Sequence, residues 1–558
     1  MLSSPWNQRK SRYDFVVVGS GYGGAITAAR LASADLNPKP SVCILERGKE
    51  WQPGQFPESM TGVAKTARTD LNPLGLFELL TYPDLTVLQG SGVGGTSLIN
   101  ANVALVPDRE VFEQSNWPRD ITYDELRPYY ERARDVLAIG PHPHAFDLAK
   151  VRALDRRAKE LGSTVHLVDI AVNFSINGDN QYGVRQIPCH GCGNCTTGCN
   201  TGAKNTLCMN YLPMARNAGA EILSQSKVEW IEKLASGGWR IHGKHVDSLF
   251  SSTAFTLDAG EVVLAAGALH STEILLRSRM HGLSASPALG TRFSGNGDFF
   301  ALAYNCDVEV DMLGYSARQQ RGTGHAPAPG PSIVGLVRYT DGASQQISVE
   351  DFGISSAYIH AAKIAFAALR GEKTSTGNKS AKRARILRDL NLLQPARKPN
   401  CAMQHSMLYL AMGRDNAGGM IVLDTPRSNP EGRARVLWDQ AGRQQVFFEI
   451  SEELRRHTRA LGGNYIPNPS WSAFNLGHLF TGHPLGGCPM GEDYEQGAVD
   501  PFGRVFAADG SVHRGLYVSD GSVIRGSLGV NPLLTIAAIT ERFVEHRIRE
   551  LKNSPPGA

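Results

Sequence analysis

Tyr13 to Val18 is an apolar, β-branched run that stops at Gly19-Ser20-Gly21-Tyr22-Gly23-Gly24 and continues into the helix-compatible AITAARLAS. Strand, tight glycine turn and helix in that order commit the start of the chain to an α/β unit. In such a turn one glycine permits the reversal, a second lets the backbone approach a pyrophosphate, and a third lets the helix pack on the strand. The helix N-terminus then faces the phosphate charge. Gly19, Gly21 and Gly24 hold those three places. The next apolar run, SVCILERG, ends in Glu46, roughly twenty residues further on, where a carboxylate bonds the ribose hydroxyls of an adenosine. A plain strand-to-helix glycine turn accounts for the first feature but not for the second, so the pattern predicts a dinucleotide site.

The rest of the chain sets the scale. Its 558 residues exceed one compact core and predict two domains. The 42% hydrophobic and 20% charged composition is that of a globular protein, and 59 glycines point to many tight turns. A net charge of +4 lacks the concentrated basic footprint that nucleic-acid binding requires. The opening MLSSPWNQRKSRYDF runs into the first strand without an apolar signal segment, and the longest apolar runs, such as VVLAAGAL at 262–269, are strand-sized. The expectation is a protein folded in the cytoplasm without a transmembrane segment, export with a signal-bearing partner remaining open.

Of nine cysteines, Cys43, Cys208, Cys306, Cys401 and Cys488 stand singly, whereas Cys189, Cys192, Cys195 and Cys199 fall within the run CHGCGNCTTGC. Scattered singles argue against a disulfide framework. The C-x2-C-x2-C-x3-C spacing is that of bacterial ferredoxins, although proline normally follows and Asn200 stands here, and the fourth ferredoxin cysteine can serve a different cluster. Zinc is a weaker fit, because no second CxxC pair or finger-spaced histidine pair accompanies His190. Disulfides or free thiols remain open alongside an iron–sulfur cluster.

Residues 90–102, GSGVGGTSLINAN, form a second glycine-dense loop, which is either a surface Ω-loop or a seat for a flat cofactor against bare backbone. With VVLAAGALHSTEILLRS at 262–278, HPLGGCPMG at 483–491 and GLYVSDGSVIRGSLGVNPLLTIAAITER at 515–542, the chain resembles the glucose-methanol-choline (GMC) oxidoreductases, in particular their cholesterol oxidase branch. The resemblance implies FAD as cofactor. It carries Gly94, Gly95, Ser97, Asn100, Val228 and Gly267 to the cofactor together with Gly19, Gly21, Gly24 and Glu46, and lays Asp520, Gly521, Asn531 and Pro532 along the flavin ring and ribityl chain.

Alcohol oxidation by a flavin needs a proton acceptor beside the departing hydride, and histidine suits the task at neutral pH. Among 16 histidines, His483 precedes PLGG, a turn able to hold an imidazole against a flat ligand, and it matches the active-site histidine of the family. Asn531, in GVNP, matches the second member of the catalytic pair. Read singly, they would be a structural histidine and a turn residue before proline. Glu350, in ISVEDFGIS, stands near the position where cholesterol oxidases carry a glutamate base; Asp351 competes for that place, as does a solvated strand-edge reading of Glu350. Some bacterial family members, FAD-dependent glucose dehydrogenases with cytochrome partners, carry an iron–sulfur cluster in this part of the chain. Their cysteines resemble Cys189, Cys195 and Cys199 in spacing, with Cys192 as an extra, and leave open whether the cluster is 3Fe-4S or 4Fe-4S.

The expected fold is α/β, with α+β character overall. A Rossmann-like FAD domain of the GMC type is built from 1–110, 205–300 and 478–558, and a substrate domain with a mostly antiparallel sheet from 111–204 and 301–477, the cysteine segment lying at 186–204. Two features of the middle stand out: a proline- and glycine-rich loop at 320–332, and a basic stretch at 371–388 after the apolar AAKIAFAALR, which could be a lid, a docking surface for an acidic acceptor or anionic membrane, or a solvated loop. The expected reaction oxidises an apolar alicyclic or sterol-like alcohol to the carbonyl by hydride transfer to FAD, the cluster passing electrons to an acceptor protein such as a cytochrome. The alternatives are an oxygen-using cholesterol or alcohol oxidase with structural cysteines, and a non-redox FAD-containing lyase.

Overall fold

The computed structural model describes all residues except 115–116, 249–250, 317–327, 340–344, 370, 374–378, 394–399, 428, 473–476 and 554–558. Most of the proline-rich loop at 320–332 and part of the basic stretch at 371–388 therefore lie outside the described residues.

The N-terminal pattern folds as its spacing predicts. β1 (Arg12–Val18) runs into the glycine turn and then α1 (Tyr22–Ser33). β1 lies between β2 (Val42–Leu45) and a strand far along the chain, and such doubly covered parallel strands read as continuous apolar runs because both faces are buried. After β3 (Glu221–Leu223), a meander of β4 (Ser226–Lys233), β5 (Trp239–Ser248) and β6 (Ser251–Leu264) completes a mixed sheet in the order β3, β2, β1, β6, β5, β4. α2 (Ala268–Met280) follows β6 through Gly267.

The chain then builds a second, antiparallel sheet from β7 (Asp298–Tyr304), β8 (Gly335–Tyr339) and β9 (Ile347–Phe352). Helices α3 (Ile359–Ala368) and α4 (Lys379–Leu390) come next. β10 (Met407–Met412), α5 (Gln445–Ala460) and β11 (Asn464–Pro467) close it, with the order β11, β7, β10, β9, β8.

β12 (Val512–Val518) returns to the first sheet beside β6, and α6 (Leu533–Asn553) packs against α1. Val18, Leu264 and Val518 are in register across three neighbouring parallel strands, so Gly19, Ala265 and Ser519 emerge side by side at the carboxyl edge. That edge is where open α/β sheets bind ligands. Both predicted sheets are present, the first mixed and the second antiparallel. No helix of the described residues is long and apolar enough to cross a membrane.

Candidate active site

The glycine turn is shaped by what crowds it. Gly19 has φ +101°, and a Cβ there would sit 2.3 Å from the Ala265 carbonyl oxygen, while a Cβ on Gly24 would sit 1.9 Å from the Gly19 oxygen. Gly23, which the motif reading passed over, is as tightly held, against Ser519. Gly21 and Gly267 differ: a Cβ on either meets nothing within 4 Å. These two backbones face open space, each just before a helix that presents about half a positive charge at its N-terminus. The loop at 90–102 closes against this space, the Gly94 amide donating to Ser20 Oγ (3.0 Å) and Gly95 lying against Gly21.

Glu46 is buried at the end of β2. Its Oε2 accepts from the Ser20 amide (3.1 Å) and Ser20 Oγ (2.6 Å), and its Oε1 from the Gly48 amide (2.8 Å), so the carboxylate also braces the turn. Asp520 is buried and accepts from the Gly267 amide (2.8 Å), Ser271 Oγ (2.6 Å) and the Ser522 amide (2.8 Å). Burial lifts its pKa above the ordinary carboxylate value despite those bonds. Gly521 packs on Leu485, and the Pro532 carbonyl accepts from Ile536 at the start of α6. Ser97 Oγ donates to the Gly94 carbonyl (2.6 Å), and Asn100 Nδ2 donates to Tyr22 OH (3.0 Å). Val228 is buried on β4. Trp51 Nε1 and Asn102 Nδ2 are buried donors with no partner among the described residues. Open space beside bare glycine backbone, paired helix N-termini and orphaned donors together fit a dinucleotide cofactor.

His483 is delivered by the strand Leu479–Thr481, which lies parallel to Leu85–Gly90, the strand that leads into the 90–102 loop. Its Nδ1 lies 2.8 Å from Asp298 Oδ1, and its amide donates to Thr481 Oγ1 (2.9 Å). Asp298 is the functional residue the motifs missed. It starts β7, is buried, and its Oδ2 accepts from Thr481 Oγ1 (2.8 Å) and the Gly482 amide (3.1 Å). Its only local signal is its position just after the Gly295-Asn296-Gly297 turn, at the head of an apolar strand.

Sheet register brings the second group to the same place. Asp298 and Ser348 both pair with Met412, while Phe300 and Glu350 both pair with Leu410, so Asp298, Phe300 and Glu350 share one face of the antiparallel sheet. Glu350 is fully buried in the interior strand β9, which overturns the solvated strand-edge reading. Asn531 Nδ2 donates to Glu350 Oε2 (3.5 Å), and Glu350 Oε1 and Asn531 Oδ1 have no partner among the described residues. Burial pushes the Glu350 carboxyl well above its ordinary value, with the neighbouring Asp351 and Asp298 charges adding to the rise. Asp351 points to the opposite face, where it accepts from the Val334 and Gly335 amides and pairs with Lys150 (3.0 Å). The half-buried Phe300 meets Phe352 and Phe480 edge to face, so an aromatic wall stands beside the polar groups.

The cysteine run is linked to the 90–102 loop. All nine cysteines are free thiols. Cys189, Cys192, Cys195 and Cys199 line one small cavity of about 20 Å³. Burial pushes the Cys189 thiol up, and Cys192 up to about 12. Lys204, which the sequence reading did not single out, is buried and donates to the Cys195 carbonyl (3.1 Å) and the Asn100 carbonyl (2.6 Å), joining the cysteines to the 90–102 loop. Burial draws its ammonium down to about 8, with Cys195 and Cys199 opposing. The donor set suits a thiolate-bound cluster, yet among the described residues no group of three or more His, Cys, Asp or Glu side chains is drawn into a metal-ligating arrangement.

Comparison with known proteins is decisive for the family. The N-terminal domain profile of the GMC oxidoreductases matches residues 13–295, and the C-terminal domain profile matches residues 423–540. The chain belongs to the GMC oxidoreductase family. Membership makes it an FAD-dependent oxidoreductase acting on CH–OH groups. This GMC oxidoreductase is 26% identical to a cholesterol oxidase of Mycobacterium tuberculosis (strain ATCC 25618 / H37Rv), over 96% of this chain and 90% of the other. It is also 26% identical to a cholesterol oxidase of Acinetobacter baumannii, over 96% and 94%, and 25% identical to a long-chain-alcohol oxidase of Arabidopsis thaliana, over 98% and 69%. Its fold is shared with a solved pyridoxine 4-oxidase from Mesorbium loti, with a TM-score of 0.61 and 16% identity over 96% of this chain and 98% of that one. A fungal aryl-alcohol oxidase gives the same TM-score and identity over 98% and 100%.

Proposed function

We propose that this GMC oxidoreductase converts an apolar alicyclic or sterol-like alcohol to its carbonyl compound. The observation that carries the reading is the imidazole of His483, held at Nδ1 by buried Asp298 (2.8 Å) on the face that presents Glu350 and the aromatic wall. The names of the relatives, cholesterol oxidases and a long-chain-alcohol oxidase, support an apolar alcohol.

FAD, when bound, supplies the acceptor for the carbon-bound hydride. The turn at Gly19, Gly21 and Gly24, the loop carrying Gly94, Gly95, Ser97 and Asn100, the Gly267 corner and the segment at Asp520 and Gly521 would hold it, with Glu46 and Val228 on the adenosine side. His483 takes the hydroxyl proton. Because its Nδ1–H is committed to Asp298, the lone pair lies at Nε2, and a positioned base of this kind contributes on the order of 10² to 10⁴ in rate. The unpartnered Asn531 Oδ1 orients the substrate oxygen. Burial favours the neutral form of the Glu350 carboxyl, whose Oε1 has no partner among the described residues and faces the same site. Phe300, Phe352 and Phe480 exclude water from the reacting carbon.

Cys189, Cys192, Cys195 and Cys199 would hold an iron–sulfur cluster of three or four irons, which supplies one-electron transfer to an external acceptor such as a cytochrome. Their shared cavity and the Lys204 link to the 90–102 loop support this part. A second reading, an oxygen-using oxidase with structural cysteines, is favoured by the oxidase relatives and by the absence of a converged ligand set among the described residues. Purified protein supplied with a sterol alcohol decides between them. The relay reading expects stoichiometric iron and acid-labile sulfide, flavin bleaching without air and turnover with an artificial acceptor. Peroxide release at the full turnover rate establishes the oxidase instead. Continued turnover without air or acceptor, with the flavin staying oxidised, identifies a lyase and ends both readings.

A further inference from the structure

Helix α4 is folded inside out. Its arginines Arg385 and Arg388 are 9% and 7% exposed, whereas Ile386 and Leu390 are 60% and 71% exposed, with Leu387 also outward. An ordinary surface helix does the reverse. The helix cannot roll to correct this, because its inner face is fastened by specific polar contacts. Arg388 donates from Nε to Asn305 Oδ1 (2.7 Å) and from Nη2 to the Cys306 carbonyl (2.9 Å). Arg385 donates to the Gly462 carbonyl, and Asp389 accepts from Tyr304 OH (2.8 Å) and Asn305 Nδ2 (2.7 Å). The one acidic side chain of α4, Asp389, is exposed but tied through Oδ1 to Tyr304 and Asn305, and Lys379, Lys382 and Arg383 stand exposed beside the apolar residues. Helix α3 packs on the same turn, Asn391–Leu393, as α4 does, and its Ile364 is 73% exposed.

We propose that this face of α4, Ile386, Leu387 and Leu390 rimmed by Lys379, Lys382 and Arg383, docks the protein on an anionic lipid surface. A short helix of low overall hydrophobicity that joins an apolar stripe to cations has the physical pattern of an interfacial helix. The cations are complementary to anionic headgroups, whereas an isologous pairing of two copies through this face would bring the same three cations together. The choice of a lipid surface also rests on the apolar-alcohol reading, since such a substrate partitions into membranes. Tyr304, bonded to α4, and Asp298, bonded to the catalytic histidine, are the two ends of β7. At about 3.3 Å per residue, the docked helix lies roughly 20 Å from the site.

The test is co-sedimentation of full-length, FAD-loaded protein, without substrate, with vesicles of phosphatidylcholine and phosphatidylglycerol or of phosphatidylcholine alone. Binding is expected to the anionic vesicles and to weaken with salt. The Ile386→Ser/Leu390→Ser variant should lose about tenfold or more of it. The Lys382→Gln/Arg383→Gln variant should lose about fivefold per charge, with a shallower salt dependence. Wild-type protein that ignores anionic vesicles, or serine variants that bind as well as wild type, overturns the proposal. So does a wild-type dimer that the serine variant turns into a monomer, which would make the face a contact between copies. Turnover of sterols against small polar alcohols is scored separately: vesicle binding with polar-alcohol specificity leaves this inference standing and removes the apolar-substrate reading.

Discussion

The substitution Asp298→Asn isolates the group that sets the tautomer of His483. Asp298 Oδ1 meets His483 Nδ1 at 2.8 Å, while Oδ2 accepts from the Gly482 amide, which can only donate, and from Thr481 Oγ1. An asparagine has two ways to sit there. With its oxygen toward the histidine, its NH2 group opposes the Gly482 N–H, at the cost of about 1 to 3 kcal/mol for an unsatisfied buried donor. With its oxygen toward Gly482 and Thr481, every backbone donor is satisfied and the NH2 group faces Nδ1, which must then accept. The second arrangement wins, the imidazole proton moves to Nε2, and the base is lost while the fold is kept. The expected loss is the whole general-base contribution, on the order of 10² to 10⁴ in the rate of flavin reduction, or about 3 to 5 kcal/mol. Anaerobic stopped-flow bleaching with a saturating alcohol reads it, with FAD content and melting temperature as controls. His483→Gln should cost a similar factor, and the double variant should be little worse than either single one, since the two residues act as a unit. Flavin reduction within a few-fold of wild type in Asp298→Asn, or losses that multiply in the double variant, would refute the assignment.

Three further outcomes follow from the same geometry. Gly24→Ala places a methyl 1.9 Å from the Gly19 oxygen and should leave little soluble protein, whereas Gly21→Ala meets nothing within 4 Å and should fold normally but purify without yellow colour. Burial raises the pKa of Glu350 above its ordinary 4.5, and an acid raised on folding gives its full stability only below the unfolded value, losing it as pH climbs toward the folded one. Glu350→Gln should therefore match wild type in melting temperature below about pH 4.5 and gain on it steadily above; a constant difference across pH would show that the carboxyl does not titrate with folding. Cys195→Ser should lower the iron and sulfide content of the purified protein while Cys401→Ser, buried far from the run in sequence, should not; equal iron in both variants would remove the cluster.

The legible parts of this protein are those whose chemistry is confined to neighbouring residues. The turn at Gly19 to Gly24 is one, because close packing of strand, helix and carbonyl forces glycine at fixed offsets. The HPLGG and GVNP segments are others, matched whole to a family. What stayed hidden depends on contacts across the chain. Asp298 reaches His483 over 185 residues, and an aspartate at the head of an apolar strand looks like any strand boundary. The choice between Glu350 and Asp351 could not be made from two adjacent carboxylates, since only the strand's period of two turns one toward Asn531 and the other toward Lys150. The stretch at 371–388 reads from its sequence as a loop, lid or docking surface; the partners that bury Arg385 and Arg388, namely Asn305 and the Cys306 and Gly462 carbonyls, come from elsewhere.

The cysteine segment and the flavin-side loop cannot be treated as separable modules. Lys204 bonds both the Cys195 and the Asn100 carbonyls, the Leu207 amide donates to Ser97 Oγ (3.2 Å), and Cys208 Sγ donates to the Val93 carbonyl (3.1 Å). Three bonds, two to backbone carbonyls and one to the Ser97 hydroxyl, therefore carry any shift of the residues following the run into the 90–102 loop. Asn100 in turn bonds Tyr22, the residue after Gly21, so the dinucleotide turn is the third member of the chain. A variant that removes one thiol and loses iron and FAD together would report on this shared scaffold. One that loses iron, keeps FAD and still bleaches with alcohol would report on electron transfer, and only that combination separates a relay from a brace.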